Sequence, residues 1–251
     1  MTRPRAALAV SAGLAAAVVY AVMWVGYLHN WSWLHRVDWS LLNAAHDIAV
    51  KHPVWVRFWA AVSFVLGPVP LRLMGVLAAV AALVKRNVRA ALLLLACAPL
   101  NGFVTLAAKG LVNRPRPSTM LVAAPATSFP SGHALEATAA LFALLSVLLP
   151  LMRRWIGGVA IAVTALSLLL VGIARVALNV HYPSDVVAGW SLGYLYFLVC
   201  LLVFRPLASG PAKPVLRCAF RWSRRSDTTG AKALLDAKVG AAGRLSPCAD
   251  C

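Results

Sequence analysis

Six stretches of about twenty mostly apolar residues recur along the chain, each the length a helix needs to cross a hydrocarbon core. A helix satisfies its own backbone hydrogen bonds, so it can cross lipid where an irregular or open segment cannot. The stretches run from Ala6 to Leu28, Leu66 to Val84, Ala90 to Ala108, His133 to Leu149, Ile156 to Ala174 and Asp185 to Phe204. They predict an all-α polytopic membrane protein, with six transmembrane helices in one bundle over residues 1–205. Composition agrees: 61% of the 251 residues are hydrophobic and 12% are charged, which leaves room for short loops but not for a separate soluble domain.

Charge is lopsided, with 24 Lys+Arg against 7 Asp+Glu. Such an excess can signal nucleic acid, but here the basic residues lie between apolar runs and in the tail rather than on a soluble module, so no nucleic-acid partner is expected. The positive-inside rule accounts for most of them. With the amino terminus inside, Arg3 and Arg5, then Lys85, Arg86 and Arg89, then Arg153 and Arg154, and finally the basic tail all fall on the cytoplasmic side. The sequence thus predicts a plasma (inner) membrane protein with both termini cytoplasmic. The first span follows Arg3 and Arg5 without a small-residue cleavage site and reads as an uncleaved anchor. Lys109, Arg114, Arg116 and Arg175 break the rule. They cluster at outer membrane ends, which invites a functional explanation.

Residues 206–251 mix Pro, Gly, Ser and Arg without apolar periodicity and read as a basic, disordered cytoplasmic tail. Its Arg217, Arg221, Arg224 and Arg225 either rest on anionic lipid or are simply solvated. Cys97 and Cys200 lie in apolar runs and Cys218, Cys248 and Cys251 in the tail, so no extracytoplasmic pair is available for a disulfide. Between the first two spans, Asp38 reads as the cap of an interfacial helix whose Leu41, Leu42, Ala45, Ile48 and Ala49 share one face. Trp31, Trp33, Trp39, Trp55 and Trp59 around it read as headgroup-level anchors. His29, His35, His46 and His52 lack metal-ligand spacing and read as interfacial polar groups.

Three polar clusters stand at the outer ends of spans three to six: Lys109 through Arg116 and Pro117; Pro130-Ser131-Gly132-His133; and Arg175 with His181 and Asp185. Fixed cations, two histidines and one carboxylate at a single face suit a phosphate. Guanidinium groups grip phosphate oxygens in pairs and a lysine adds a point charge, so Lys109, Arg116 and Arg175 can neutralise a phosphoryl group. Ser131 and Gly132, just before a helix, can offer backbone N–H groups to the same oxygens. Asp185, four residues beyond His181, can orient one ring nitrogen and leave the other as a nucleophile. His133 remains as the proton donor to a leaving oxygen. No carboxylate cluster offers to hold Mg²⁺, so metal-independent chemistry without a cofactor is expected.

The pattern K-x6-R-P from Lys109 to Pro117, P-S-G-H from Pro130 to His133 and R-x5-H-x3-D from Arg175 to Asp185 resembles the signature of the type 2 phosphatidic acid phosphatase family, which shares its site with vanadium-dependent haloperoxidases. The likeness covers residues 109–185, and the six-helix layout extends it to about residue 205. It implies that His181 attacks phosphorus to give a phosphohistidine, that Asp185 orients it, and that His133 protonates the leaving group and then activates water. It also implies phosphate-binding roles for Lys109, Arg116, Ser131, Gly132 and Arg175. One departure is Ala174, where the family commonly has Ser before the arginine; the change removes a hydroxyl contact but no catalytic group.

Three further charges have supporting roles to be assigned. Glu136, three residues after His133, either orients it or pairs with a polar group on a neighbouring helix. Arg72 either contacts a second phosphate or headgroup, or snorkels to the outer interface. Arg114 belongs to the first cluster. The leading expectation is a phosphatase acting at the outer face on a polyprenyl diphosphate, phosphatidylglycerophosphate or phosphatidic acid, with the membrane lipid as substrate and the bilayer as solvent. A lipid phosphotransferase using the same phosphohistidine is the alternative within enzymes, and a non-catalytic lipid-phosphate transporter or binding protein the alternative outside them.

Overall fold

The computed structural model describes residues 3–124 and 127–204, with side chains from residue 9 onward. The predicted tail at 206–251, with Cys218, Cys248 and Cys251, lies outside the described residues. Every long regular element among those described is an α-helix: α1 (Arg3–Leu28), α2 (Ser32–Lys51), α3 (Pro53–Val65), α4 (Pro68–Val84), α5 (Val88–Cys97), α6 (Asn101–Val112), α7 (Gly132–Leu148), α8 (Arg154–Ala177) and α9 (Pro183–Phe204). They provide six candidate membrane spans: Ala9–Leu28, Pro53–Val84, Val88–Val112, Gly132–Leu151, Arg154–Ala177 and Pro183–Phe204.

Two of these spans are broken helices, which hydropathy alone did not reveal. The second is α3 followed by α4, interrupted at Leu66 and Gly67; the third is α5 followed by α6, interrupted from Ala98 to Leu100. Proline explains both breaks. Pro68 opens α4 after Gly67 in an extended conformation, and Pro99 stands between α5 and α6; each lacks the backbone N–H that a continuing helix would use, and its ring crowds the preceding turn. Two helices, not one, therefore separate α1 from α4.

The segment between them also corrects two readings. Asp38 does not cap a helix: it lies inside α2, on the buried stripe Leu34, Asp38, Leu42 and Ala49. Trp59 is not a headgroup anchor. It is 8% exposed and packs with Ala174, Ala177, Leu178 and Val180 at the end of α8, with Trp55 against the same cluster. Trp33, by contrast, is exposed, and Trp39 meets the ring of Tyr182 edge-on at 5.7 Å.

At the centre stands α7. From Gly132 to Ala140 every residue but His133 is buried. Its alanines bring neighbouring backbones close, which is how helices associate in lipid, where tails offer no hydrophobic contrast. Against it lies α9, through Gly189 and Gly193, spaced four apart on one face. A Cβ on Gly189 would stand 2.6 Å from the carbonyl oxygen of Ser131, and one on Gly193 would strike that of Leu135 and come within 2.9 Å of Thr138 Cβ. The two helices approach backbone to backbone along this seam. Deeper in the bundle, Ala139, Ala143 and Leu144 of α7 pack with Leu93, Leu94 and Cys97 of α5 and with Phe197 and Cys200 of α9.

Replacing Gly193 with Val forces α9 away from α7, and overpacking of this kind costs about 1–3 kcal/mol. The expected outcome is a lower thermal midpoint of the detergent-purified protein, whereas Gly110→Ala, where a Cβ meets nothing within 4 Å, leaves it unchanged. Equal midpoints for both variants would show that the seam is not tight.

Candidate active site

The polar residues converge where α6 and α8 end and α7 and α9 begin. Lys109 occupies the last turn of α6, which closes at Asn113 in a left-handed conformation (φ 50°, ψ 37°). Asn tolerates that conformation, and Pro115 then holds Arg114 and Arg116 on a non-helical segment. Arg175 lies in the last turn of α8, and the chain reverses there through Asn179 at φ 54°. Pro183 opens α9, placing Asp185 in its first turn. The 113–131 segment is tied down by backbone bonds from Ser128 N to Arg114 O (2.7 Å), Leu121 N to Leu178 O (3.1 Å) and Ser131 N to Asp185 O (2.9 Å).

Asp185 is fully buried. Its Oδ1 accepts from Arg114 Nη1 at 2.7 Å; its Oδ2 accepts from the Tyr182 amide at 3.0 Å and from the Ser128 hydroxyl, and faces His181 Nδ1 at 3.6 Å. On the other side of that ring, Nε2 lies 3.3 Å from Arg116 Nη1. A guanidinium can only donate, so Nε2 is the unprotonated nitrogen and the proton sits on Nδ1, toward the carboxylate. Burial pushes the imidazole down to about 3; Arg175 and Arg116 add to that, while Asp185 opposes it. His181 is therefore a neutral, oriented base at ordinary pH.

Around it stand the cations. Arg116 also donates to Val180 O at 2.7 Å. Lys109 Nζ donates to the Thr127 carbonyl, and Thr127 Oγ1 donates back to Lys109 O at 3.3 Å. Arg175, 7% exposed, donates through Nη1 to Ser63 Oγ on α3 at 2.9 Å. His133 rests against Gly67, and the charges of Arg175, His181, Arg116 and Lys109 all bear on it. Ser131 is wholly buried with its hydroxyl unpartnered, directly before the unused amides of the first turn of α7. The structure thus brings together all eight residues the sequence assigned to catalysis and phosphate binding: Lys109, Arg116, Ser131, Gly132, His133, Arg175, His181 and Asp185.

The supporting charges are divided. Glu136 pairs with Arg72 on α4 at 2.6 Å, so the neighbouring-helix alternative holds for its Oε2. Arg114 is the hub of a network that sequence reasoning missed. Its Nη2 donates to Asp38 Oδ2 at 2.9 Å and its Nη1 to Ser184 Oγ at 2.8 Å, while Asp38 accepts from the Ser184 amide at 2.9 Å and hydroxyl at 2.6 Å. The rings of Tyr27 and Tyr182 lie 4.7 and 3.8 Å from the Arg114 guanidinium carbon. One signal could have found Asp38: a carboxylate on the apolar stripe of an amphipathic helix needs a partner. Ser63 carried none. Among the described residues no group of three His, Cys, Asp or Glu side chains stands together as a metal cage.

Comparison with known proteins places this geometry. Residues 90–208 match the model of the PAP2 superfamily. The lipid A 1-phosphatase of Rhizobium johnstonii is 39% identical over 77 residues, which cover 31% of this chain and 28% of that protein. The aligned stretch thus spans less than a third of that relative. The crystal structure of a transmembrane PAP2-type phosphatidylglycerolphosphate phosphatase from Bacillus subtilis superposes with a TM-score of 0.64 at 21% identity, over 81% of this chain and 98% of that one. It shares the fold. The matched segment contains both histidines, Asp185 and every cation that surrounds them, so the likeness to the PAP2 superfamily falls on the site itself.

Proposed function

We propose that this protein is a membrane phosphatase that releases phosphate from a lipid phosphate or diphosphate through a phosphohistidine on His181, at the extracytoplasmic face of the plasma membrane. The observation that carries the reading is the oriented, neutral His181 inside a cage of cations. Four cations, Lys109, Arg114, Arg116 and Arg175, stand with two carboxylates, Asp38 and Asp185, both bonded by Arg114, which leaves a surplus of two positive charges for a phosphate dianion to neutralise. A site that merely held an anionic headgroup would need no carboxylate behind an imidazole.

In the first step Nε2 of His181 bonds to phosphorus, and the bond from phosphorus to the lipid oxygen breaks with its electron pair going to that oxygen. His133 supplies the proton. Asp185 holds the growing imidazolium through Nδ1, and Arg116, Lys109 and Arg175 hold the equatorial oxygens, with the first-turn amides of α7 behind them. In the second step His133, now a base, takes a proton from water, whose oxygen replaces the histidine nitrogen on phosphorus. The cations supply the charge stabilisation that a metal gives in other phosphoryl transfers. The side of the membrane follows from the cytoplasmic bias of the other Lys and Arg residues.

Inorganic phosphate release by detergent-purified protein tests the reading, with polyprenyl diphosphate, phosphatidylglycerophosphate and phosphatidic acid offered in the presence of EDTA. Release from at least one lipid, undiminished by EDTA and abolished in His181→Ala, is expected; wild-type turnover in the variant would remove His181 as nucleophile. Asp38→Ala leaves Arg114 short of a buried partner. The loss of one member of such a pair costs about 3–5 kcal/mol, so a much lower thermal midpoint is expected, with kcat falling more than KM rises in whatever protein remains folded.

The depressed His181 value has a sign. A group that is neutral when folded but has an ordinary value of about 6.5 when unfolded contributes stability that is intact above 6.5 and is lost as pH falls toward 3. From pH 7 to pH 5 the loss from this residue amounts to about 2 kcal/mol. The thermal midpoint of His181→Gln should accordingly fall less over that interval than that of the wild type. Parallel falls would show that His181 titrates normally.

A further inference from the structure

Two buried arginines stand at this end of the bundle and are held in opposite ways. Arg114 meets two carboxylates, Asp38 and Asp185, which cancel its charge. Arg175 meets a neutral group: its Nη1 donates to the Ser63 hydroxyl at 2.9 Å, and among the described residues it forms no ion pair. Its Nε is buried without a hydrogen-bond partner, so among the described residues it is the serine that fixes the plane of the guanidinium. An arginine side chain has many rotamers to lose, and the charge of Arg116 acts against that of Arg175. A carboxylate at position 63 would hold the guanidinium more firmly but would cancel the charge that a phosphate needs to find there. A hydroxyl oxygen holds it and leaves that charge intact.

The serine is itself firmly placed. Trp59 of α3 is buried with Ala174, Ala177, Leu178 and Val180, which sets α3 against the end of α8. Ser63 follows Trp59 by four residues, one turn along the same face, and is 4% exposed. Four residues further, the chain leaves α3 at Gly67. A Cβ on Gly67 would strike the carbonyl oxygen of Ser63 and stand 3.4 Å from His133 Cδ2. The last turn of α3 and the break after it thus form one wall of the site, in contact with Arg175 through Ser63 and with His133 through Gly67. Both wall residues lie outside the matched segment, residues 90–208.

Resting on the phosphatase reading, we infer that Ser63 is a positioning residue, which acts through Arg175 by fixing the guanidinium toward the reacting phosphate without neutralising it. Nη1 is engaged by the serine, and the rest of the planar fork is left for phosphate oxygens. Ser63 takes no proton and forms no bond in the reaction. Its contribution therefore exists only while an arginine stands at position 175.

A double-mutant cycle on binding of inorganic phosphate tests this. The thermal midpoint of detergent-purified protein is followed against phosphate concentration at constant ionic strength, which yields a Kd without turnover. Ser63→Ala should raise that Kd about threefold to tenfold, a fraction of what a hydrogen bond to a charged group is worth. In an Arg175→Lys background, where the planar fork is gone, the same change should raise it less than about twofold. Equal losses in both backgrounds would reduce Ser63 to a packing role, and no loss in either would overturn the assignment. Should Ser63→Ala fail to fold, Ser63→Cys fills the same space with a poor acceptor and should show the same loss; wild-type affinity in it counts against the assignment. A wild-type midpoint that phosphate does not move would remove the cage as a phosphate site, and the role of Ser63 with it. Wild-type protein that binds phosphate yet releases none from any lipid offered would instead remove the phosphatase reading, while the binding cycle still decides the role of Ser63.

Discussion

The structure turns on one buried cation held between two carboxylates. Arg114 bonds Asp38 and Asp185 at once and lies against the rings of Tyr27 and Tyr182, so a single guanidinium joins α1, α2, the 113–131 segment and the start of α9. Charges this deep are tolerated only when paired and fully hydrogen-bonded, and the pairing leaves little freedom to any member. Asp185, with Oδ1 taken by Arg114 and Oδ2 by the Tyr182 amide and the Ser128 hydroxyl, has one orientation open to it. His181 inherits that orientation. The position of the imidazole is thus set by a network that extends to a helix well away in sequence.

The same economy shows at Arg175. Directly before this arginine stands Ala174, wholly buried in one cluster with Trp59. Ala174 has no hydroxyl to offer the guanidinium, and the one that meets it comes from Ser63 on α3. The bulk of the indole on that helix and the small side chain on α8 are complementary, and the polar contact comes from the neighbouring element. Nothing in the order of residues announces this arrangement, because it exists only once α3 lies against the end of α8.

That contrast marks what could be read without coordinates. Spans were legible because twenty apolar residues leave little choice in lipid, and the convergence of the candidate residues was legible because each cluster is local in sequence and sits at a helix end. Asp38 was misread because a carboxylate near a helix start is the usual sign of a cap, and only its place on the stripe of Leu34, Leu42 and Ala49 argued otherwise. Trp59 was misread because composition marks an indole as amphipathic without saying which neighbour covers it. The breaks at Pro68 and Pro99 were visible as prolines, yet hydropathy averaged across them. The partners of Arg114 and Arg175 are separated from them by 76 and 112 positions, beyond the reach of any local pattern.

The chemistry finally depends on how closely α7 approaches α9. His133 stands in the first turn of one helix and Asp185 in that of the other, and the amide of Ser131 donates to the carbonyl of Asp185 at 2.9 Å, so a backbone hydrogen bond links the helix of the proposed proton donor to that of the carboxylate beside His181. That bond forms because Gly189 leaves Ser131 and Ala134 room to come in, and Gly193 continues the contact one turn deeper. A bulkier seam would separate the two histidines even with every polar residue retained. The small residues of the bundle, inconspicuous beside the charged motifs, are what convert a list of charged side chains into a site with a fixed distance between its two histidines.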